Sequence, residues 1–269
     1  MITLKHHNYA LCILHYAFII ALLTACSNVS EDERLIYVAP TNAARSVLIE
    51  DFTGQRCVNC PAATQKIEEL EEQYGDRIIA VAIHSGPFAH RTTMSSPLLS
   101  LGTETGDEFY KHWGIEAQPG ALINRSGSPL YNPSLYASKV NDIIGLATPL
   151  SLSGTATYDT TSSTLTATVN ASSSSDITGT LEVWLTEDNI TDTQLMADGK
   201  PNTEYVHQHV FRTVLTNDIY GEAVSLTAGQ PLSKTYTISI DDSWKTADLA
   251  VVAFVSNGSG VLQAVRLKP

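Results

Sequence analysis

Two hydrophobic periods run along this chain, and the change from one to the other near residue 150 divides it. Val47, Leu48 and Ile49, followed by Phe52, form a short continuous apolar run of the kind a strand shows when a parallel sheet buries both its faces. Gly54 ends it. From Pro61 the period becomes helical, with Ala63, Ile67, Leu70 and Tyr74 on one face and Glu68, Glu69, Glu71 and Glu72 largely off it. Pro61 suits a first turn, where its missing N–H costs nothing, and Gly75 suits the position just past the helix end. "RIIAVAIHSG" (Arg77 to Gly86) is a second continuous apolar strand. Beyond it, "ETGDEFYKHW" predicts a helix whose Phe109 and Trp113 fill the core. An extended segment, a Ser126-Gly127 turn and a second short strand then read as a hairpin. "PSLYASKVNDIIG" predicts a last helix with Leu135, Val140 and Ile143 or Ile144 inward. The order is strand, helix, strand, helix, strand, strand, helix.

From Leu150 the pattern alternates with period two. "LSLSGTATY", "TLTATVNAS", "GTLEVWLTED", "YVHQHVFRTVL", "SKTYTISI", "ADLAVVAFVSN" and "VLQAVRLK" are separated by Gly, Asn, Asp and Ser. Seven such runs predict an antiparallel β-sandwich of immunoglobulin-like kind, with Leu165, Ala167 and Val169 inward and the threonines outward. Pro149 marks the boundary. His207 and His209 fall on one strand face, but no third ligand accompanies them. A half-exposed strand surface is the reading, and no metal or other cofactor is expected.

The first residues belong to neither pattern. Lys5 precedes an apolar run, Ala10 to Leu23, as long as a secretory h-region and short for a membrane span. Leu23, Thr24 and Ala25 then lead into Cys26, and "LLTAC" resembles the lipobox of bacterial lipoproteins. The resemblance implies cleavage before Cys26 and a lipid on it, which holds the protein on a membrane. "SNVSEDER" reads as a polar, acidic tether. The expected organisation is therefore a signal peptide over 1–25, a lipidated tether over 26–44, an α/β domain over 45–148 and a β-sandwich over 149–269. Sixteen Lys and Arg stand against 28 Asp and Glu, a net charge of −12, and no basic cluster interrupts it. Phosphate backbones are repelled, which excludes nucleic acid as a partner class.

Charge excludes; the cysteines select. Cys12 lies in the signal segment and Cys26 carries lipid on this reading, so Cys57 and Cys60 remain as the thiols of the mature chain. A C-x-x-C closes too small a loop to staple an unfolded chain. A structural zinc site needs four ligands, and no second pair exists. Redox chemistry gains by elimination. The pair sits at a strand-to-helix junction, where free N–H groups and the helix dipole lower a thiol pKa, and Arg56 adds positive potential. Cys57 would be the nucleophile and Cys60 the resolving thiol. His84 ends the second strand, on the edge where α/β sheets gather their sites, and is a candidate tuning residue.

Over residues 45 to 146 this order, with C-x-x-C at the first strand-helix junction, resembles the thioredoxin fold. The resemblance implies that Asp51, six residues before Cys57, is a buried acid helping to deprotonate the resolving cysteine. It also implies a cis peptide before Pro119, with Gln118 offering backbone groups to an extended substrate. Arg56 stands where the family has tryptophan, and Val58-Asn59 replaces Gly-Pro. Over nearly the whole length, the lipobox, "EDFTGQRCVNCP", "VAIHSG" and "HQHVFRTVL" look like the twenty-eight-kilodalton outer membrane lipoprotein family, which joins a thioredoxin-like domain to a β-sandwich. Two functions follow as expectations. One is a lipid-anchored thiol-disulfide oxidoreductase acting on protein thiols or disulfides in the cell envelope, on either face of the outer membrane. The other is a non-catalytic, surface-exposed binding or adhesion lipoprotein built on the same scaffold.

Overall fold

A computed structural model describes residues 43–89 and 100–269 of the chain. The signal segment, Cys26 and the acidic residues after it lie outside the described residues. The last two positions of the expected tether form a strand: β1 (Ala43–Ala44) pairs antiparallel with β5 (Ala147–Thr148) at the end of the α/β part.

β2 (Val47–Thr53) is buried at all seven positions, as its unbroken apolar run requires. β3 (Ile78–His84) lies parallel to it, in register from Val47 opposite Ile78 to Thr53 opposite His84. β4 (Gly120–Ile123) is antiparallel on the other edge of β2. The hairpin expected after β4 reduces to a single bridge between Ala121 and Leu130. Helix α1 (Cys60–Tyr74) buries Ala63, Ile67 and Leu70, the spacing that predicted it, against Val47, Ile49, Ile78 and Ala80. Gly75 follows at φ 58°, the left-handed conformation that suits glycine at a helix end.

Helix α3 (Tyr136–Ile144) packs on the same face as α1, with Val140, Ile143 and Ile144 inward. Leu135, expected inward, is instead 48% exposed, and Tyr136 is fully buried. A 3-10 turn over Pro133–Leu135, capped by the Asn132 side chain, precedes the helix and shifts its phase by one residue. The opposite face of the sheet carries α2 (Glu104–His112), where the Thr103 hydroxyl accepts from the Gly106 N–H and Phe109 is fully buried.

After β5 the chain is all strand. β6 (Leu150–Asp159), β7 (Thr164–Ser173) and β13 (Leu232–Ser239) form one antiparallel sheet. β8 (Ile177–Glu187), β12 (Glu222–Leu226), β14 (Leu249–Asn257) and β15 (Gly260–Leu267) face it. Leu165, Ala167 and Val169 meet Val183, Leu185, Val251 and Ala253 in the shared core. The alternate residues of β8 and β14 are also buried, because their outer face packs on the α/β part: Trp184 stacks on Phe109 at 5.0 Å and meets Phe254 edge-on at 4.9 Å. The run "YVHQHVFRTVL" is two strands, not one. β10 (Pro201–His207) ends where β11 (Val210–Val214) begins, and His209 between them has φ 56°.

β11 joins the halves. It pairs with β8 and, through Val210 opposite Ala82, with the free edge of β3. One sheet thus runs β15-β14-β8-β11-β3-β2-β4. β9 (Ile190–Leu195) pairs only with β10, so the two form a separate hairpin leaving the sandwich between β8 and β11.

Candidate functional site

The end of β2 and the start of α1 fix the two cysteines. Cys57 lies in a turn closed by its own N–H to the Gly54 carbonyl (2.9 Å), and Cys60 opens the helix. The turn demands glycine: a Cβ on Gly54 would sit 2.4 Å from the Phe88 carbonyl carbon. Cys57 and Cys60 are joined in a disulfide with their Cα atoms 5.4 Å apart. Both are buried, at 3% and 1% exposure, so the expected nucleophile Cys57 is as shielded as the resolving Cys60.

The β9-β10 hairpin covers them. Leu195 N–H donates to the Gln55 carbonyl (2.8 Å), and Gln194 Nε2 donates to the carbonyls of Cys57 (3.0 Å) and Gly54 (3.4 Å). From below, Gln55 Nε2 donates to Asp192 Oδ2 (2.9 Å) and the Thr193 carbonyl (3.3 Å). Neither glutamine was singled out in the sequence, and each looks there like one more polar position in a loop or an alternating strand.

Asp51, Thr53, Cys60, His84, Gln194, Tyr205 and His207 line one cavity beneath this cover. Asp51 is 2% exposed, and burial pushes its carboxyl up to about 7. His84 is also buried, and its ring meets His207 edge-on at 5.2 Å. The half-exposed strand face expected of His207 and His209 is therefore not what the chain builds. His207 is 5% exposed, and burial depresses its imidazole to about 4. His209, past the strand break, borders the same cavity near α1, with Nδ1 2.9 Å from Asp188 and Nε2 3.1 Å from Glu71 of α1. Among the described residues, no group of three His, Cys, Asp or Glu could hold a metal ion.

The remaining candidates do not line this cavity. Arg56 turns away from the cysteines' turn, its guanidinium donating to the Pro87 (3.0 Å) and Ala89 (3.4 Å) carbonyls. The Gln118-Pro119 peptide is cis. Gln118 Nε2 donates to the carbonyls of Thr53 (2.7 Å) and Ser85 (3.0 Å), tying together the C-terminal ends of β2 and β3. Deeper in the junction, and unmarked in sequence, Arg125 binds Glu50 of β2 and Glu182 of β8.

These features define a class: an α/β layer with a covered C-x-x-C disulfide, continuous through one sheet with a β-sandwich. The chain belongs to the family described as Outer membrane protein Omp28, whose match runs over residues 106–269 and so begins after the two cysteines. That family places it with proteins of the outer membrane. Among solved structures it is similar to HBP35 of Porphyromonas gingivalis, with a TM-score of 0.66 and 18% identity over 85% of this chain and 78% of that one. A second likeness is to AGR_C_4864 of Agrobacterium tumefaciens, with a TM-score of 0.51 and 16% identity over 85% of this chain and 96% of the other. A domain of the outer membrane lipoprotein Omp28 from Porphyromonas gingivalis is 19% identical over 45% of this chain and 88% of its own, with a TM-score of 0.33. No curated protein matches the sequence.

Proposed function

We propose that this outer membrane protein is anchored by lipid at Cys26 and exchanges thiols and disulfides with envelope proteins through Cys57 and Cys60. On this reading its α/β part is a thioredoxin-like domain and its second part an immunoglobulin-like sandwich. The observation that carries it is the disulfide at the N-terminus of α1, sharing a buried cavity with the acid Asp51. A thiolate formed at Cys57 is stabilised by the helix N-terminus. Asp51, which holds a proton near neutral pH, suits proton exchange with Cys60 as the internal disulfide opens and closes. Neither step needs a cofactor.

One observation favours the second reading, a binding or adhesion lipoprotein whose disulfide takes no part in chemistry: the hairpin lies bonded over the sulfur that must attack. A trapping experiment decides between them. Cys60→Ser leaves Cys57 unable to resolve, so the exchange reading expects envelope proteins held on Cys57 by a reducible bond, and insulin reduction by the unsubstituted chain. Absence of both supports the binding reading.

A further inference from the structure

We propose that the carbonyl edge of residues 54–57 is a docking edge for an extended segment of a protein substrate, and that residues 192–195 are its built-in competitor. This rests on the exchange reading above. Leu195 offers Gln55 a backbone N–H, as an added strand does, while Gln194 Nε2 adds a hydrogen bond to the carbonyls of Gly54 and Cys57, each of which also accepts a backbone N–H of the turn. Asp192 and Thr193 complete the contact by accepting from Gln55 Nε2. An extended peptide carrying a backbone N–H and a side-chain amide can replace each of these bonds.

The occupant is built to leave. A two-stranded hairpin has little stability of its own, so these bonds, with its buried Ile190 and His207, hold it in place. Its ends are defined by Asn189 at φ 58° and His209 at φ 56°, left-handed conformations that turn the chain out of β8 and back into β11. Across that neck Gln208 Oε1 accepts from the Asn189 N–H (3.0 Å) and Gln208 Nε2 donates to Asn189 Oδ1 (3.1 Å).

The test uses the full chain carrying Cys60→Ser, with the Cys57→Ser, Cys60→Ser chain as blank. Two probes are compared: Ellman's reagent, and an extended ten-residue peptide whose single cysteine is activated as its thionitrobenzoate disulfide. The Cys57 thiolate attacks the peptide sulfur, the S–S bond to thionitrobenzoate breaks, that thiolate leaves, and the proton of Cys57 passes to buffer. Adding Gln194→Ala removes two bonds to the edge and is expected to raise both rates about tenfold. Asp192→Ala, which acts from the other side, should raise them by a smaller factor. A rate gain for Ellman's reagent alone would overturn the docking edge, and no gain in either variant would overturn the competitor as well. Accelerated reaction with the peptide, where the chain retaining both cysteines fails to reduce insulin, leaves the docking edge standing and removes the exchange reading.

Discussion

Arg125 offers the sharpest test of how the two halves are held together. Its side chain is 8% exposed and serves two buried carboxylates, Glu50 at 0% and Glu182 at 3%. Nε and one terminal nitrogen take both oxygens of Glu50 at 2.9 Å, and Nη2 donates to Glu182 Oε2 at 2.9 Å. The guanidinium also lies over Trp113 (4.7 Å) and Phe254 (4.8 Å). One positive charge cannot balance two negative ones. Burial first, and then the charge of Glu50, push the Glu182 carboxyl up to about 7 despite the guanidinium. Arg125→Ala leaves both carboxylates buried without their partner, a loss of about 3–5 kcal/mol, and forfeits cation-π contacts of about 0.5–2 kcal/mol. At about 2–4 °C per kcal/mol for a domain of this size, melting should fall by roughly 10 °C or more at pH 8. Denaturant melts of the full chain at pH 8 and pH 5 read the effect. The penalty should shrink at pH 5, where the stranded carboxylates take up protons that keep them neutral. Arg125→Lys should recover less than half, because an ammonium cannot fork onto two carboxylates. A loss below about 1 kcal/mol, or an equal loss at both pH values, would refute the reasoning.

Three further outcomes are expected. His209 is held above the usual imidazole range: burial opposes its charge, but the carboxylates of Asp188 and Glu71 that its ring faces outweigh it, with Arg266 acting against them. Its stabilisation is full below the unfolded value and is lost as pH rises through the folded one. His209→Asn, which tolerates the left-handed backbone, should therefore cost about 1–3 kcal/mol at pH 5.5 and clearly less at pH 9, read from urea midpoints. Asp51 is raised to about 7, so the folded chain keeps a proton that the unfolded chain releases near pH 4, and stability declines as pH rises between the two. Asp51→Asn should abolish that decline, a gain on the order of a few kcal/mol at pH 8, while slowing closure of the internal disulfide in stopped-flow traces. Gly54→Ala forces a methyl into the Phe88 carbonyl and should displace the cysteines' turn, seen as faster alkylation of reduced Cys57.

What the sequence made legible is what short-range periodicity encodes. The helix from Pro61, the two parallel strands and the inward face of β7 follow from spacing alone, because their neighbours in sequence are also their neighbours in space. Tyr136 escaped because a 3-10 turn reset the helix phase. β9, "ITDTQL", and β12, "EAVSL", carry too few apolar residues to be told from loops. The chemistry of the site divides in the same way. Asp51 and the cysteines lie within ten residues of one another, whereas the contact that covers them joins Gln194 to Cys57 across 137 positions. The pairing of Arg125 with Glu182 spans 57 positions and is equally invisible to any local pattern.

The cover and the junction have a common cause. In the α/β sheet β4 takes one edge of β2, which leaves β3 with a bare row of N–H and C=O groups, the kind of edge that invites pairing with another chain. The sandwich closes it with β11: the Ala82 N–H donates to the His209 carbonyl at 2.8 Å, and Val210 stands opposite Ala82. Ala82 is only two residues from the C-terminal end of β3, the end at which β2 delivers the chain to Cys57. The left-handed His209 turns the chain between β10 and β11, and His207 at the end of β10 meets His84 at that end of β3, so the β9-β10 hairpin lies beside the disulfide. Protection of a sheet edge fixes where the hairpin leaves the sandwich, and Gln194 then reaches the carbonyls of Gly54 and Cys57. Loosening β11 from β3 should accordingly expose the cysteines even with Gln194 intact, which separates the anchor of the cover from its latch.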